Sequence, residues 1–231
     1  MNVLDIQKDL RKLANPQKAK NLQRFFKTGK GEYGEGDKFL GITVPEIRRT
    51  IKSYNHLSLV EITILLHSPF HEERLAGLLI LVDQFKKADT ISRKSIVNFY
   101  LTNTKFINNW DLVDLTAPNI VGWHLFEKDR SILYKLAKSK SLWERRIAVM
   151  STFYFIRNNQ FADAIKISQI LLTDKHDLIH KAVGWMLREI GKRDLKTEEN
   201  FLKKHYHHMP RVMLRYAIEK FPPAKKSDYL K

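Results

Sequence analysis

Apolar residues recur at three- and four-residue spacing along nearly the whole chain. Leu4, Leu10 and Leu13 outline a first amphipathic helix, and Asn15-Pro16 is a cap and first-turn pair for a second that runs to about Lys27. Thr43-Val44-Pro45-Glu46 joins a Thr cap, an early proline and a Glu three residues on, the capping box of a third helix. The same spacing predicts helices near 58–66, 69–86, 90–102, 107–115, 117–126, 129–138, 141–157, 160–172, 175–191, 194–205 and 209–221. Connectors are short, as antiparallel helix pairs require, and no segment sustains the period-two alternation of a strand. The expected fold is all-α, with one domain over residues 1–222 and a frayed tail at 223–231 that starts after Pro222.

A basic-plus-alanine signature repeats within this pattern: Arg74-Leu75-Ala76, Arg146-Ile147-Ala148, His180-Lys181-Ala182 and Arg215-Tyr216-Ala217. The alanines lie 72, 34 and 35 residues apart, and 72 is close to twice 36. A period in the mid-thirties marks stacked helical hairpins, an α-α superhelical solenoid. Each alanine lets two helices approach closely, while the cation two residues before it is rotated by about 200°. Stacking should therefore set cations in register along one side, a concave basic groove.

Charge supports a polyanionic partner. Lys and Arg number 41 against 25 Asp and Glu, a formal charge of +16 with a pI near 9.9. Nucleic acid is the first candidate and an anionic membrane surface the second. Cysteine is absent, which excludes disulfides, thiol nucleophiles and zinc–thiolate sites. Met1 to Pro16 alternates charged and apolar residues, unlike a signal peptide, and the run Leu75 to Val82 is too short to span a bilayer. A cytoplasmic, nucleoid-associated location is expected. His205, His207 and His208 cluster, and His176 and His180 lie one turn apart, but neither group has carboxylates at metal-ligand spacing. No metal site is expected.

The segment from Thr28 to Asp37 interrupts the helices with Gly29, Gly31, Gly34 and Gly36. It lacks the Gly-Lys-Ser/Thr ending of a phosphate loop and follows no strand, so a helix-joining loop is the simpler reading. Should it touch nucleic acid, Lys27, Lys30 and Lys38 would make the contact.

Asn108-Asn109-Trp110-Asp111-Leu112-Val113-Asp114 is the segment best suited to chemistry. On a helix Trp110 and Asp114 share a face and Asp111 points away. An aromatic plate beside a carboxylate suits a reaction that builds positive charge on a sugar. A core tryptophan with a capping or ion-paired aspartate would leave the same trace. Trp143-Glu144-Arg145-Arg146 opens one repeat, and Gly184-Trp185 lies in another, where the indole either reaches outward or packs between helices.

Taken in order, Phe39-Leu-Gly-Ile-Thr-Val-Pro-Glu46 with Arg48, Trp110-Asp-Leu-Val-Asp114, Trp143-Glu-Arg-Arg146 and Lys181-Ala-Val-Gly-Trp-Met-Leu-Arg-Glu189 resemble the AlkD family of DNA alkylation-repair glycosylases, built from HEAT-like repeats. The resemblance covers almost the whole chain. It implies that Trp110 and Trp185 contact the deoxyribose of the damaged nucleotide, that Asp114 assists bond cleavage and that Arg146 holds a backbone phosphate. Arg74, Lys181, Arg188 and Arg215 would be further phosphate contacts. The implied substrate is double-stranded DNA carrying cationic N3- or N7-alkylated purines. The N-glycosidic bond would be hydrolysed without extrusion into an enclosed pocket, unlike most base-excising enzymes. No lysine stands out as a Schiff-base nucleophile, so a monofunctional enzyme is expected, monomeric and without cofactor. Phe25 takes the place of a family tyrosine facing the lesion, and the loop at 29–37 resembles an insertion relative to the shortest members. Some relatives bind branched DNA without glycosylase activity, which leaves a non-catalytic DNA-binding repeat protein as the alternative.

Overall fold

Helix starts follow the caps written in the sequence. In the computed structural model, which describes residues 1–230, Asn2 and Asp5 form a reciprocal box that opens α1 (Val3–Lys12). Asn15 accepts the Lys18 N–H at 3.0 Å at the head of α2 (Pro16–Phe25). Glu46 accepts the Thr43 N–H at 2.8 Å, the expected box at the start of α3 (Val44–Ile51). Ser58 and Glu61 pair in the same way before α4 (Leu59–Leu66). There follow α5 (His71–Lys87), α6 (Thr90–Thr102), capped by Asp89, and α7 (Trp110–Ala117). The only strand-like pairing among the described residues is a single bridge between Lys38 and Phe70, which ties the glycine-rich loop to the start of α5.

The chain divides into two compact units, Met1–Thr116 and the residues from Ala117 onward. In the first, α5 packs against α1, α3, α4 and α6 and buries every residue from His71 to Val82. The apolar run Leu75 to Val82 is therefore core. No helix among the described residues is long and apolar enough to cross a membrane.

The second unit contains α8 (Trp123–Leu125), α9 (Ser131–Ala137), α10 (Leu142–Arg157), α11 (Ala162–Ile170), α12 (Asp177–Gly191), α13 (Leu195–His205), α14 (Arg211–Ala217) and α15 (Pro223–Leu230). One row is α10 on α12 and α12 on α14; α9, α11 and α13 pack against it. Ala148, Ala182 and Ala217 are buried in that row, and Ala76 is buried in α5. The row closes further at glycine. A Cβ on Gly184 would lie 2.4 Å from the Met213 carbonyl and 2.5 Å from Tyr216 Cβ.

Three expectations need correction. A helix break near residue 116 is absent; Pro118, with no N–H to donate, is taken up in a π-helical turn, Pro118–Gly122. Residues 223–230 are not frayed. They form α15, where Tyr229 meets Tyr206 at 5.3 Å and Phe221 at 5.8 Å, and Arg211 Nη2 donates to the Leu230 carbonyl at 2.8 Å.

The third concerns the repeated cations, which do not all line one exposed row: Arg74 and Arg146 are buried, whereas Arg215 is exposed. Arg74 Nη1 donates to the Ser68 carbonyl at 3.1 Å, Arg145 Nη1 to Ser139 at 3.0 Å, and His180 Nε2 to Asp174 at 2.5 Å. In each case the acceptor lies six residues earlier, in the turn before the helix. Arg146 is buried and donates to the Leu178 carbonyl of α12. A turn carbonyl packed against a helix has lost water and needs a donor. Arg74 and His180 of the signature supply it, as does Arg145, the neighbour of the signature's Arg146.

Two predictions follow from this packing. Gly184→Ala forces α12 away from α14; overpacking of this kind costs about 1–3 kcal/mol, a drop in Tm of roughly 2–4 °C per kcal/mol for a chain of this size, read by thermal unfolding. Glu198 is buried in α13, and desolvation raises its carboxyl to about 8, against the opposing charges of Lys225 and Arg188. Its folded pKa exceeds the unfolded value. The penalty is therefore absent below about pH 4.5 and accrues as pH rises through about 8. Glu198→Gln should leave Tm unchanged near pH 5 and raise it relative to wild type at pH 9.

Candidate active site

The first turn of α7 brings together the side chains singled out in the Trp110–Asp114 segment. Trp110 is the first residue of the helix and is half-buried; Asp114, one turn later on the same face, is half-buried as well. Asp111 points the other way, into the protein, as the helical spacing requires.

Trp110 stands on a column of rings. Phe26 lies beneath the indole at 5.1 Å between centroids and 15° between planes. Phe39 stacks on Phe26 at 5.0 Å, and the His71 imidazole stacks on Phe39 at 4.6 Å. Phe25 closes the side of the column edge-on, 5.9 Å from Trp110 and 5.2 Å from Phe26. These contacts fix the plane of the indole. Phe25 itself is 63% exposed, whereas Phe26 is 6% exposed, so only one ring of the pair serves the core. Arg24, Lys27, Lys30 and Lys38 are exposed near Phe25 in sequence. Phe25 is thus an exposed apolar ring in a basic stretch of the chain.

The glycine-rich loop is built to hold this arrangement. Gly34 passes so close to the backbone that a Cβ would sit 2.5 Å from the Phe26 carbonyl. Glu32 and Glu35 accept the N–H groups of Gly29 and Gly31 at 2.9 and 2.8 Å. The loop ends at buried Asp37, which accepts Arg74 Nη2 at 2.6 Å and Asn109 Nδ2 at 3.3 Å. Burial opposes the charge on Asp37, but the His71 hydrogen bond and the Arg74 charge hold its carboxyl below the usual aspartate range. Beside the ring column lies a cavity of about 320 Å³, walled by Phe25, Phe26, Phe39 and Ile47, with His71 and Asp111 at its polar edge.

Trp185, in the second unit, is half-buried on α12. Its Nε1 donates to Glu189 Oε1 at 3.2 Å, and its ring lies 5.7 Å from Phe153. Burial works against ionisation of Glu189, yet Lys192, Trp185 and Arg193 keep its pKa below the ordinary value. Arg157 lies over the other partner, 4.0 Å from the Phe153 ring. Gly184 lets α12 seat against α14, which fixes the helix that carries Trp185.

The expected phosphate contacts divide by exposure. Arg215 is exposed, and Lys181 is 39% exposed and paired with Asp177 at 2.6 Å. Arg188 is largely covered and paired with Glu219. Arg74 and Arg146 are buried, each donating to a carbonyl, Arg74 also paired with Asp37; neither presents a guanidinium to solvent, which corrects their assignment to DNA. The spacing of basic residues identified their helices but not their direction. No role in the site is read from the sequence for Phe26, Phe39, His71 or Asp37. The doubled Phe25-Phe26 was the one local trace of the column. No group of three or more metal-ligating side chains is assembled among the described residues.

The two phenylalanines should separate by experiment. Phe26→Ala removes a buried stacking ring and should cost about 3–5 kcal/mol in urea unfolding. Phe25→Ala should stay within roughly 0.5–1 kcal/mol of wild type, because its ring is mostly in water.

Comparisons with known proteins agree with this architecture. No curated protein matches the chain. Among solved structures, a predicted DNA alkylation repair enzyme from Enterococcus faecalis has a similar fold, with a TM-score of 0.72 over 91% of this chain and 97% of that chain at 16% sequence identity. The model of the DNA alkylation repair enzyme family matches residues 6–221. By that match, spanning nearly its whole length, the chain belongs to the DNA alkylation repair enzyme family.

Proposed function

We propose that this member of the family is a monofunctional DNA glycosylase that hydrolyses the N-glycosidic bond of cationic N3- and N7-alkylated purines in duplex DNA. The observation that carries the reading is the pairing of Trp110, held flat on Phe26, with Asp114 one turn along the same face of α7. Both side chains are partly exposed, so both can meet a substrate too large to enter a cavity.

The chemistry needs little more. An alkylated purine already carries positive charge, which weakens its bond to the sugar. As the C1′–N bond breaks, its electron pair goes to the purine, which leaves as a neutral base. Positive charge builds on the sugar in an oxocarbenium-like state. A carboxylate at Asp114 stabilises that charge and orients the water whose oxygen bonds to C1′. The water gives up one proton, and an abasic site remains. The electron-rich face of Trp110 favours the same developing cation. Trp185 is assigned to contact with the deoxyribose, and Arg215 and Lys181 to backbone phosphates. Arg24, Lys27, Lys30 and Lys38 add sequence-independent attraction for DNA. Phe25 would present an apolar edge to the damaged nucleotide.

Release of 3-methyladenine and 7-methylguanine from methylated duplex DNA tests the reading. Wild type should release at least one of them. Asp114→Asn should lower the single-turnover rate by about 10²-fold or more while binding duplex DNA as well as wild type. Binding without release by wild type would instead identify a non-catalytic DNA-binding protein. Equal rates for Asp114→Asn and wild type would overturn the role of Asp114.

A further inference from the structure

His71 is the first residue of α5 and is buried, with both ring nitrogens engaged by carboxylates from other segments. Nε2 lies 2.8 Å from Asp111 Oδ2 in the first turn of α7. Nδ1 lies 3.3 Å from Asp37 Oδ2 at the end of the glycine-rich loop. Carboxylate oxygens only accept, so both bonds exist together only when each ring nitrogen carries a proton. The ring plane is fixed by Phe39 at 4.6 Å and Phe26 at 5.0 Å, the same rings that support Trp110.

The same cluster reaches the backbone of Trp110. Asn109 donates to Asp37, and its Oδ1 accepts the Trp110 N–H at 2.9 Å. Asp111 Oδ1 accepts the Leu112 N–H at 2.9 Å, so the carboxylate caps the helix with one oxygen and holds His71 with the other. The head of α7 thus hangs from two carboxylates, and His71 joins them.

We propose that His71 is a positioning residue for the reaction at Trp110 and Asp114: with a proton on each ring nitrogen it fastens the first turn of α7 to α5 and to the glycine-rich loop, and so holds the indole on Phe26. This rests on the glycosylase reading for the word reaction, and on geometry alone for the clamp.

The charged groups facing the imidazole are Asp37 from the loop, Asp111 from α7, and Arg74 on α5 itself, bonded to the same Asp37. Glu72, next to His71, is turned toward the backbone N–H groups of Leu40, Gly41 and Ile42. Glu73 is turned toward Arg11 and Gln7. Two carboxylates, one guanidinium and one imidazolium are neutral as a set. Burial opposes the imidazolium, but the Asp111 charge and the bonds to Asp111 and Asp37 outweigh it and raise the His71 pKa to about 9. The clamp is therefore closed across neutral pH. Because the folded pKa lies above the unfolded value, the contribution is complete below about pH 6.5 and is lost as pH rises through about 9.

The test uses full-length protein labelled with 5-fluorotryptophan, in which the Trp110 fluorine resonance is assigned by its loss in Trp110→Phe. In wild type that resonance should shift with a midpoint near pH 9, and in His71→Gln the transition should vanish. A Trp110 resonance flat from pH 7 to 10.5 in wild type, or one that titrates identically in His71→Gln, overturns the clamp. The wild-type titration decides alone should His71→Gln not fold. On methylated duplex DNA, His71→Gln should lower the single-turnover excision rate at least about tenfold, as misplaced catalytic groups do, while the duplex Kd stays within twofold, since His71 is too buried to touch DNA. An excision rate within twofold of wild type also overturns the proposal. Absence of excision by wild type counts against the glycosylase reading alone, and the fluorine titration then decides the clamp.

Discussion

Two carboxylates, a guanidinium and an imidazolium lie buried together in the first unit, and their charges must cancel there because little water reaches them to do so. Much of the unit's local geometry answers to that requirement. Asp37 reaches the cluster only because the glycine-rich loop folds tightly behind Phe26. Arg74 and His71 reach it from adjacent faces of the same helix. Asp111 reaches it because α7 begins at Trp110, and the indole is placed as a consequence. The polar cluster meets the rings at His71, which packs on both Phe26 and Phe39, and the half-buried indole lies on the same Phe26. A substitution that removes one member strands an uncompensated charge in the interior, and its effects would spread from stability to the orientation of Trp110.

The helices were readable because their ends are chemically marked. Asn15-Pro16 and Thr43 with Glu46 specify starts by local hydrogen bonding, and the structure forms both of them. Trp110 and Asp114 were readable as a pair because a four-residue spacing is itself a geometry. The support beneath them was not. Phe26, Phe39, His71 and Asp37 come from α2, the loop and α5, and their meeting is a matter of tertiary packing that no local period records. The basic signature was legible as a repeat and misleading as a surface. Composition counts charges, but burial decides where they act, and at Arg74 and Arg146 the need of buried backbone carbonyls for donors outweighed exposure to solvent.

The excess charge therefore resides elsewhere. With Arg74 and Arg146 engaged in the interior and Arg188 covered by Glu219, most exposed cations lie outside the signature, among them Arg24, Lys27, Lys30, Lys38 and Arg48, and Arg215 is the signature cation that stays exposed. Exposed cations attract a phosphate backbone without reading its sequence. That suits a family whose targets are scattered lesions. The aromatic plate, by contrast, is held in place by Phe25, Phe26 and Asn109.

The bond from each helix back to a carbonyl six residues earlier has a consequence for how such a chain can change length. Arg74, Arg145 and His180 each measure out the same stretch of backbone across the turn before α5, α10 and α12. An insertion or deletion inside that stretch would pull donor and acceptor out of register and leave a desolvated carbonyl behind. Growth or shrinkage can then proceed by whole hairpins, added as cassettes, or in connectors without such a ruler. The segment 29–37 lacks that ruler but is measured in another way, by the close pass of Gly34 at Phe26 and by Asp37 at its end.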